Sequence, residues 1–119
     1  MFGRKRPMNL IQQMKAAVKM EIRASSRGTD YLEAVIGLED LGVLHSFLEK
    51  HLGSPAKESG KEGSLPESVR ELVGALGGLR IEQSFFYKQE GKEIIYAALW
   101  PWKSDPRRIT LKSGVARVA

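Results

Sequence analysis

The sequence predicts a single small α+β domain over residues 1–119. An antiparallel C-terminal β-meander of about three strands, which an N-terminal hairpin can extend, is covered on one face by two or three helices. Three observations predict it. Residues 79–112 alternate in side-chain character with a period of two and are cut by two turn signals, "QEGK" and "SDPRR". Residues 38–52 and 66–76 instead repeat their leucines and valines at spacings of three and four. The helical stretches precede the strand-rich third, and no segment repeats another.

Residues 9–20 read as an amphipathic helix with Ile11, Met14 and Val18 on one face beside Leu10 and Ala17. Pro7 and Asn9 suit its entry. From Val18 a second pattern begins: Val18, Met20 and Ile22 alternate with Lys19, Glu21 and Arg23, which predicts a short strand. Lys15, Lys19, Arg23 and Arg27 would form a basic ridge only on a continuous helix, and the strand breaks that ridge. "SSRGTD" is turn chemistry. "YLEAVI", residues 31–36, admits two readings. Asp30 and Glu33 fit a capping box and a helix; Tyr31, Val35 and Ile36 ahead of Gly37 fit a strand paired with the preceding one, and the strand is favoured.

Residues 38–52 form a helix whose buried stripe is Leu41, Leu44 and Leu48, with Phe47 beside it. Glu39 and Asp40 in its first turn and Lys50 and His51 in its last complement the helix dipole, and Gly53 suits the C′ position. Gly42 costs about 1 kcal/mol relative to alanine in a helix interior, so it is expected at a close packing contact. "GSPAKESGKEGSLP" lacks apolar bulk and predicts a mobile loop over about 53–65. Pro66 then opens a helix with Val69, Leu72, Val73 and Leu76 facing inward, ended by Gly77-Gly78.

In the last third, Leu79, Ile81, Gln83, Phe85 and Tyr87 share one face of a strand, and Arg80, Glu82, Ser84, Phe86 and Lys88 share the other. "QEGK" supplies Gly91 for a hairpin turn that needs φ > 0. Residues 94–102 are apolar on both faces and therefore central to a sheet. "SDPRR" puts Asp105 and Pro106 at the first two positions of a turn. Residues 107–112 make the third strand, and Gly114 with the small residues after it reads as a tail.

Hydrophobic residues at 42% and charged residues at 28% match an ordinary soluble protein. A chain of this size buries roughly two-thirds of its unfolded surface, enough for a core without staples. The absence of cysteine excludes disulfides, thiolate zinc sites, thiol catalysis and cysteine-ligated clusters, and fits a cytoplasmic protein. No run reaches the roughly 18 apolar residues of a membrane span. The start, "MFGRKRPMNLIQQMK", has Gln12, Gln13 and Lys15 where a signal peptide needs its apolar centre. Its lack of acid keeps a transit peptide as the alternative, and Arg4, Lys5 and Arg6 are expected in an exposed basic tail over about 1–8. The net charge of +5 divides into +5 over residues 1–30, −4 over 31–90 and +4 over 91–119. The basic ends either meet as a patch that attracts an anion or pair with the acidic middle, the simpler reading.

No metal or cofactor is expected: His45 and His51, six residues apart on a helix, do not share a face. No serine sits in a nucleophile elbow, and "GALGGLR" follows a helix where a dinucleotide loop follows a strand. No catalytic set is therefore expected. "AALWPWKSDPRR" holds both tryptophans. Trp100 and Trp102 have the same parity, and Pro101 between them cannot donate to a ladder, so the strand must end, bulge or turn that position away from its neighbour. Lys103, Arg107 and Arg108 gather at the turn. Rings with cations can bind single-stranded nucleic acid, at about 1–3 kcal/mol per stacked base. The simpler packing puts Trp100 in the core and Trp102 over the core edge with an arginine on its indole face.

Trp102, Lys103, Arg107 and Arg108 are thus the candidate ligand-binding residues. The chain reads as a small non-enzymatic binding protein whose partner is another protein. The alternative is an accessory nucleic-acid binder that uses the basic termini and the Trp/Arg hairpin. A third reading is a ligand-binding domain or enzyme with a pocket between helices and sheet.

Overall fold

A computed structural model describes residues 10–26, 31–61, 65–78, 80 and 82–117. The expectations for Arg4, Lys5, Arg6, Asn9, Arg27, Asp30, Leu79 and Ile81 lie outside the described residues.

Helix α1 (Leu10–Ala17) buries Ile11 and Met14, and the Val18 N–H donates back to the Met14 carbonyl at 3.0 Å. The change of period at Val18 then ends the helix, and β1 (Glu21–Ile22) follows. "YLEAVI" is a strand, β2 (Tyr31–Gly37), with Leu32, Ala34 and Ile36 fully buried at a spacing of two. The two strands pair antiparallel, Glu21 opposite Val35.

Helix α2 (Leu38–Leu52) buries Leu44, Leu48 and Leu52, with Leu41 and Phe47 packed half-buried beside them. Gly53 ends it at φ +87°, its N–H donating to the Glu49 carbonyl. Gly42 overturns the expectation of close packing: a Cβ there would meet nothing within 4 Å, because the residue lies on the exposed flank. Helix α3 (Glu67–Ala75) buries Val69 and Val73.

Strands β3 (Ser84–Glu90) and β4 (Glu93–Pro101) are joined by Gly91-Lys92, with Gly91 at φ +62°. Strand β5 (Arg108–Arg117) follows a turn in which the Arg108 N–H donates to the Asp105 carbonyl at 3.0 Å. It outruns the tail expected from Gly114. That glycine is buried within the sheet, directly opposite Tyr31 on β2 and Tyr96 on β4. Ser113, fully buried, donates its hydroxyl to the Tyr96 carbonyl at 2.8 Å.

The strand order is β1-β2-β5-β4-β3, all antiparallel neighbours, so the N-terminal hairpin extends the meander through β2 and the sheet has five strands rather than three. Helices α1 and α2 cover one face, packing on Leu32, Ala34, Ile36, Phe86, Ala97, Leu99, Ile109 and Leu111. The expected one-sided cover holds for these two. Helix α3 sits on the opposite face, against Phe85, Ile94, Tyr96 and Ala98. The two-sided apolar character of β3 and β4 makes this second layer necessary, since each buried apolar side chain contributes roughly 1.5–3 kcal/mol on leaving water. On the other half of that second face, strands β2 and β5 set Glu33, Thr110 and Lys112 among Tyr31 and Val35, so this half is mixed in polarity and carries no helix among the described residues.

The loop after α2 is pinned to the free edge of β3. Ala56 and Lys57 donate their N–H groups to the Phe85 carbonyl, Phe85 donates to Lys57 O, and the Ser59 hydroxyl donates to Glu82 O. The Lys57 side chain is 6% exposed, and its ammonium donates to Gln83 O at 2.6 Å. No helix among the described residues is long and apolar enough to cross a membrane.

Candidate functional site

The ladder between β4 and β5 builds the site. The Asp105 turn fixes its register: Trp102 N–H donates to Arg108 O at 2.9 Å, and Trp100 lies opposite Thr110. Trp100, Trp102, Arg108, Thr110 and Lys112 therefore project from the same side of the sheet. That side is the half-face that α3 leaves open. Residues Tyr31, Glu33 and Val35 of β2 continue it, and Glu21 of β1 lies beside Val35.

Pro101 fits because of where its missing N–H would point. Trp102 donates toward β5, so the nitrogen of Pro101 faces the β3 side, and β3 has already ended at Ser84 opposite Leu99. The strand keeps its register through the proline without losing a ladder bond.

Each indole is fixed from two directions. The Trp102 Nε1–H donates to Thr110 Oγ1 at 2.8 Å, and the Arg108 guanidinium lies 5.0 Å from the ring centroid. Arg108 in turn reaches Glu21 Oε1 at 3.2 Å, across the width of β2. Trp100 is half-buried at the margin of the α3 cluster, and Lys112 Nζ stands 5.1 Å from its ring. Cation–π contacts at such half-exposed positions are worth about 0.5–1 kcal/mol each. The Tyr31 hydroxyl donates to Glu33 Oε1 at 3.0 Å, which fixes a third ring on this face.

Of the four sequence-predicted residues, the structure brings Trp102 and Arg108 together. Arg107 points elsewhere: its Nε–H donates to Asp105 Oδ1 at 3.3 Å. Asp105 also accepts the Arg107 backbone N–H, and these two bonds, the backbone one foremost, hold its carboxyl below the usual carboxylate range. Lys103 is exposed and makes no ion pair among the described residues. Trp100, Thr110, Lys112, Tyr31 and Glu21 belong to the site and were missed as members. Thr110 and Lys112 carried a usable signal, because they share parity with Arg108 once the turn is placed. Glu21 carried none, lying 87 residues from its partner.

Beside the hairpin, a shallow cleft of about 430 Å³ runs between the start of α2, β1 and the Asp105 turn. The Leu38 N–H donates to Arg107 O at 2.8 Å and ties its two walls. Its lining mixes Lys19, Arg107 and Arg108 with Glu21, Glu39, Asp40 and Asp105, so neither sign of charge prevails. Among the described residues no three His, Asp or Glu side chains converge as a metal ion would require. The arrangement can present rigid amphipathic rings with fixed charges at their margins. Compared with known protein families, curated proteins and solved structures, the chain matches none.

Proposed function

We propose that this chain is a non-enzymatic binding protein that docks another protein on the open half of its second sheet face. The observation that carries this is the pinned row of Trp100, Trp102 and Arg108, with Tyr31 beyond β5. Tryptophan, tyrosine and arginine are the residue types that dominate protein–protein hot spots. Rings already held by Thr110, Arg108 and Lys112 lose little freedom on docking, and preorganisation of that kind favours affinity. The carboxylates Glu21 and Glu33 sit among the cations on the same face, which suits a partner of mixed charge better than a polyphosphate.

Nucleic acid is the alternative occupant, and the ring geometry disfavours it. A base can stack on either indole at the Arg108 or Lys112 side only by displacing the cation already there. Titrating the protein with a single-stranded oligonucleotide at low salt, followed by tryptophan fluorescence, tests the choice. An unchanged spectrum is expected. A saturable quench whose log affinity falls linearly with log salt would replace the protein-binding reading with the nucleic-acid one.

A further inference from the structure

On the other face of the same two strands lies a second cavity. Leu99, Pro101 and Ile109 project away from the tryptophans and, with Leu41 of α2, form an apolar floor. The cavity encloses about 270 Å³ between α2, the loop after it and the segment leading into β3. We propose that it binds a small organic monocation, a primary amine carried on an apolar body.

Charge complementarity names the ligand class. Three carboxylate residues line the rim from three separate elements: Glu49 of α2, Glu58 of the loop and Glu82 ahead of β3. Among the described residues no lysine or arginine is in the lining. Glu58 already has Lys61 at 3.0 Å on the outer side, and Glu49 lies 3.8 Å from His45 Nδ1. Glu82 makes no ion pair among the described residues, but the Lys57 ammonium behind the wall lies near enough to feel its charge. Lys57 and Lys61 together thus balance two of the three carboxylates, and the rim keeps one net negative charge for an ammonium group. An apolar floor under a net negative rim selects a molecule with both a hydrophobic body and one positive charge. Anions meet repulsion at the rim, and neutral apolar molecules gain only the floor.

The wall is built to stay in place. Lys57, buried behind it, donates to Gln83 O and Glu58 O, and its chain bridges to Phe85 on β3. The His45 ring stands edge-on to Phe86 at 5.1 Å, which fixes the α2 side. Two faces of one hairpin end thus carry separate sites, and the cavity does not depend on the tryptophan surface.

The test is an NMR chemical-shift titration of the labelled full chain with benzylamine, against benzyl alcohol as the uncharged probe of similar shape. Benzylamine should shift Leu41, Leu99 and Ile109 resonances saturably. Benzyl alcohol and benzoate should bind at least tenfold more weakly. Glu82→Gln should weaken benzylamine roughly tenfold, the order expected for one carboxylate near a cation at the protein surface, and Trp102→Ala should leave it unchanged. Equal binding of benzylamine and benzyl alcohol, shifts spread over exposed carboxylates elsewhere, or full binding by Glu82→Gln would each overturn the proposal. Should Glu82→Gln fail to fold, Glu49→Gln, at a more exposed helix position, provides the same readout.

Discussion

Replacing Thr110 by valine keeps the outline of the side chain and removes the oxygen that accepts the Trp102 indole N–H at 2.8 Å. A net hydrogen bond of this kind contributes about 0.5–1.5 kcal/mol, and an orphaned donor that is only half-buried regains part of it from water, so Thr110→Val should cost about 1 kcal/mol. Trp102→Phe removes the donor instead, and also weakens the platform under Arg108, since tryptophan is the best cation–π partner. Its loss should be about 1–2 kcal/mol. The informative quantity is the coupling. If the indole is held by Thr110, the double variant costs less than the sum of the singles by about 0.5–1.5 kcal/mol. Urea denaturation followed by far-ultraviolet circular dichroism measures it without relying on the altered fluorophore. For a chain of 119 residues each kcal/mol also moves Tm by roughly 4 °C. Additivity within the usual error of about 0.3–0.5 kcal/mol would show that Trp102 is not fixed by Thr110, and the preorganised face would lose its support.

Three further outcomes follow from individual positions. Gly42→Ala should stabilise the chain by about 0.5–1 kcal/mol in urea melts, because α2 gains helix propensity where a Cβ meets open space; destabilisation would mean that the flank is covered. Gly91→Ala should destabilise by roughly 1–2 kcal/mol, since its φ of +62° lies where a Cβ is strained, and Gly91→Asn should recover part of the loss. Burial lowers the Lys57 ammonium pKa, an effect that the nearby Glu82 carboxylate offsets in part. The folded chain releases this proton at a lower pH than the unfolded chain does. The burial penalty is therefore complete below the folded pKa, and stability rises with pH between that value and the ordinary lysine range. Lys57→Met should abolish the rise in urea midpoints across that alkaline window, and identical profiles for the two proteins would contradict the burial argument.

Much of this fold could be read from local patterns. The bounds 38–52 of α2 followed from leucine spacing and the acidic first turn, and a two-residue hairpin at Gly91 followed from its one suitable glycine. The Asp105-Pro106 turn was also local, and it sets the Trp102–Arg108 register on which the site depends. What could not be read was non-local. Strand β4 showed that both of its faces are buried, yet nothing in α3 says which face it covers. Gly114 looked like the start of a tail because its propensity is poor for a strand. It lies instead between Tyr31 and Tyr96 in register, neighbours that only the five-strand order brings together. The Arg108–Glu21 pair joins segments that no sequence spacing relates.

The central claim is that the open sheet face around Trp102 receives another protein. A diazirine-bearing lysine analogue placed at Lys103, the exposed residue next in the chain to Trp102, tests it in living cells. Irradiation should produce a discrete protease-sensitive adduct, absent when the analogue sits at Lys15 on α1 and lost when Trp102 and Arg108 are both replaced by alanine. An adduct removed by nuclease but not by protease, or one that forms equally from Lys15, would contradict it.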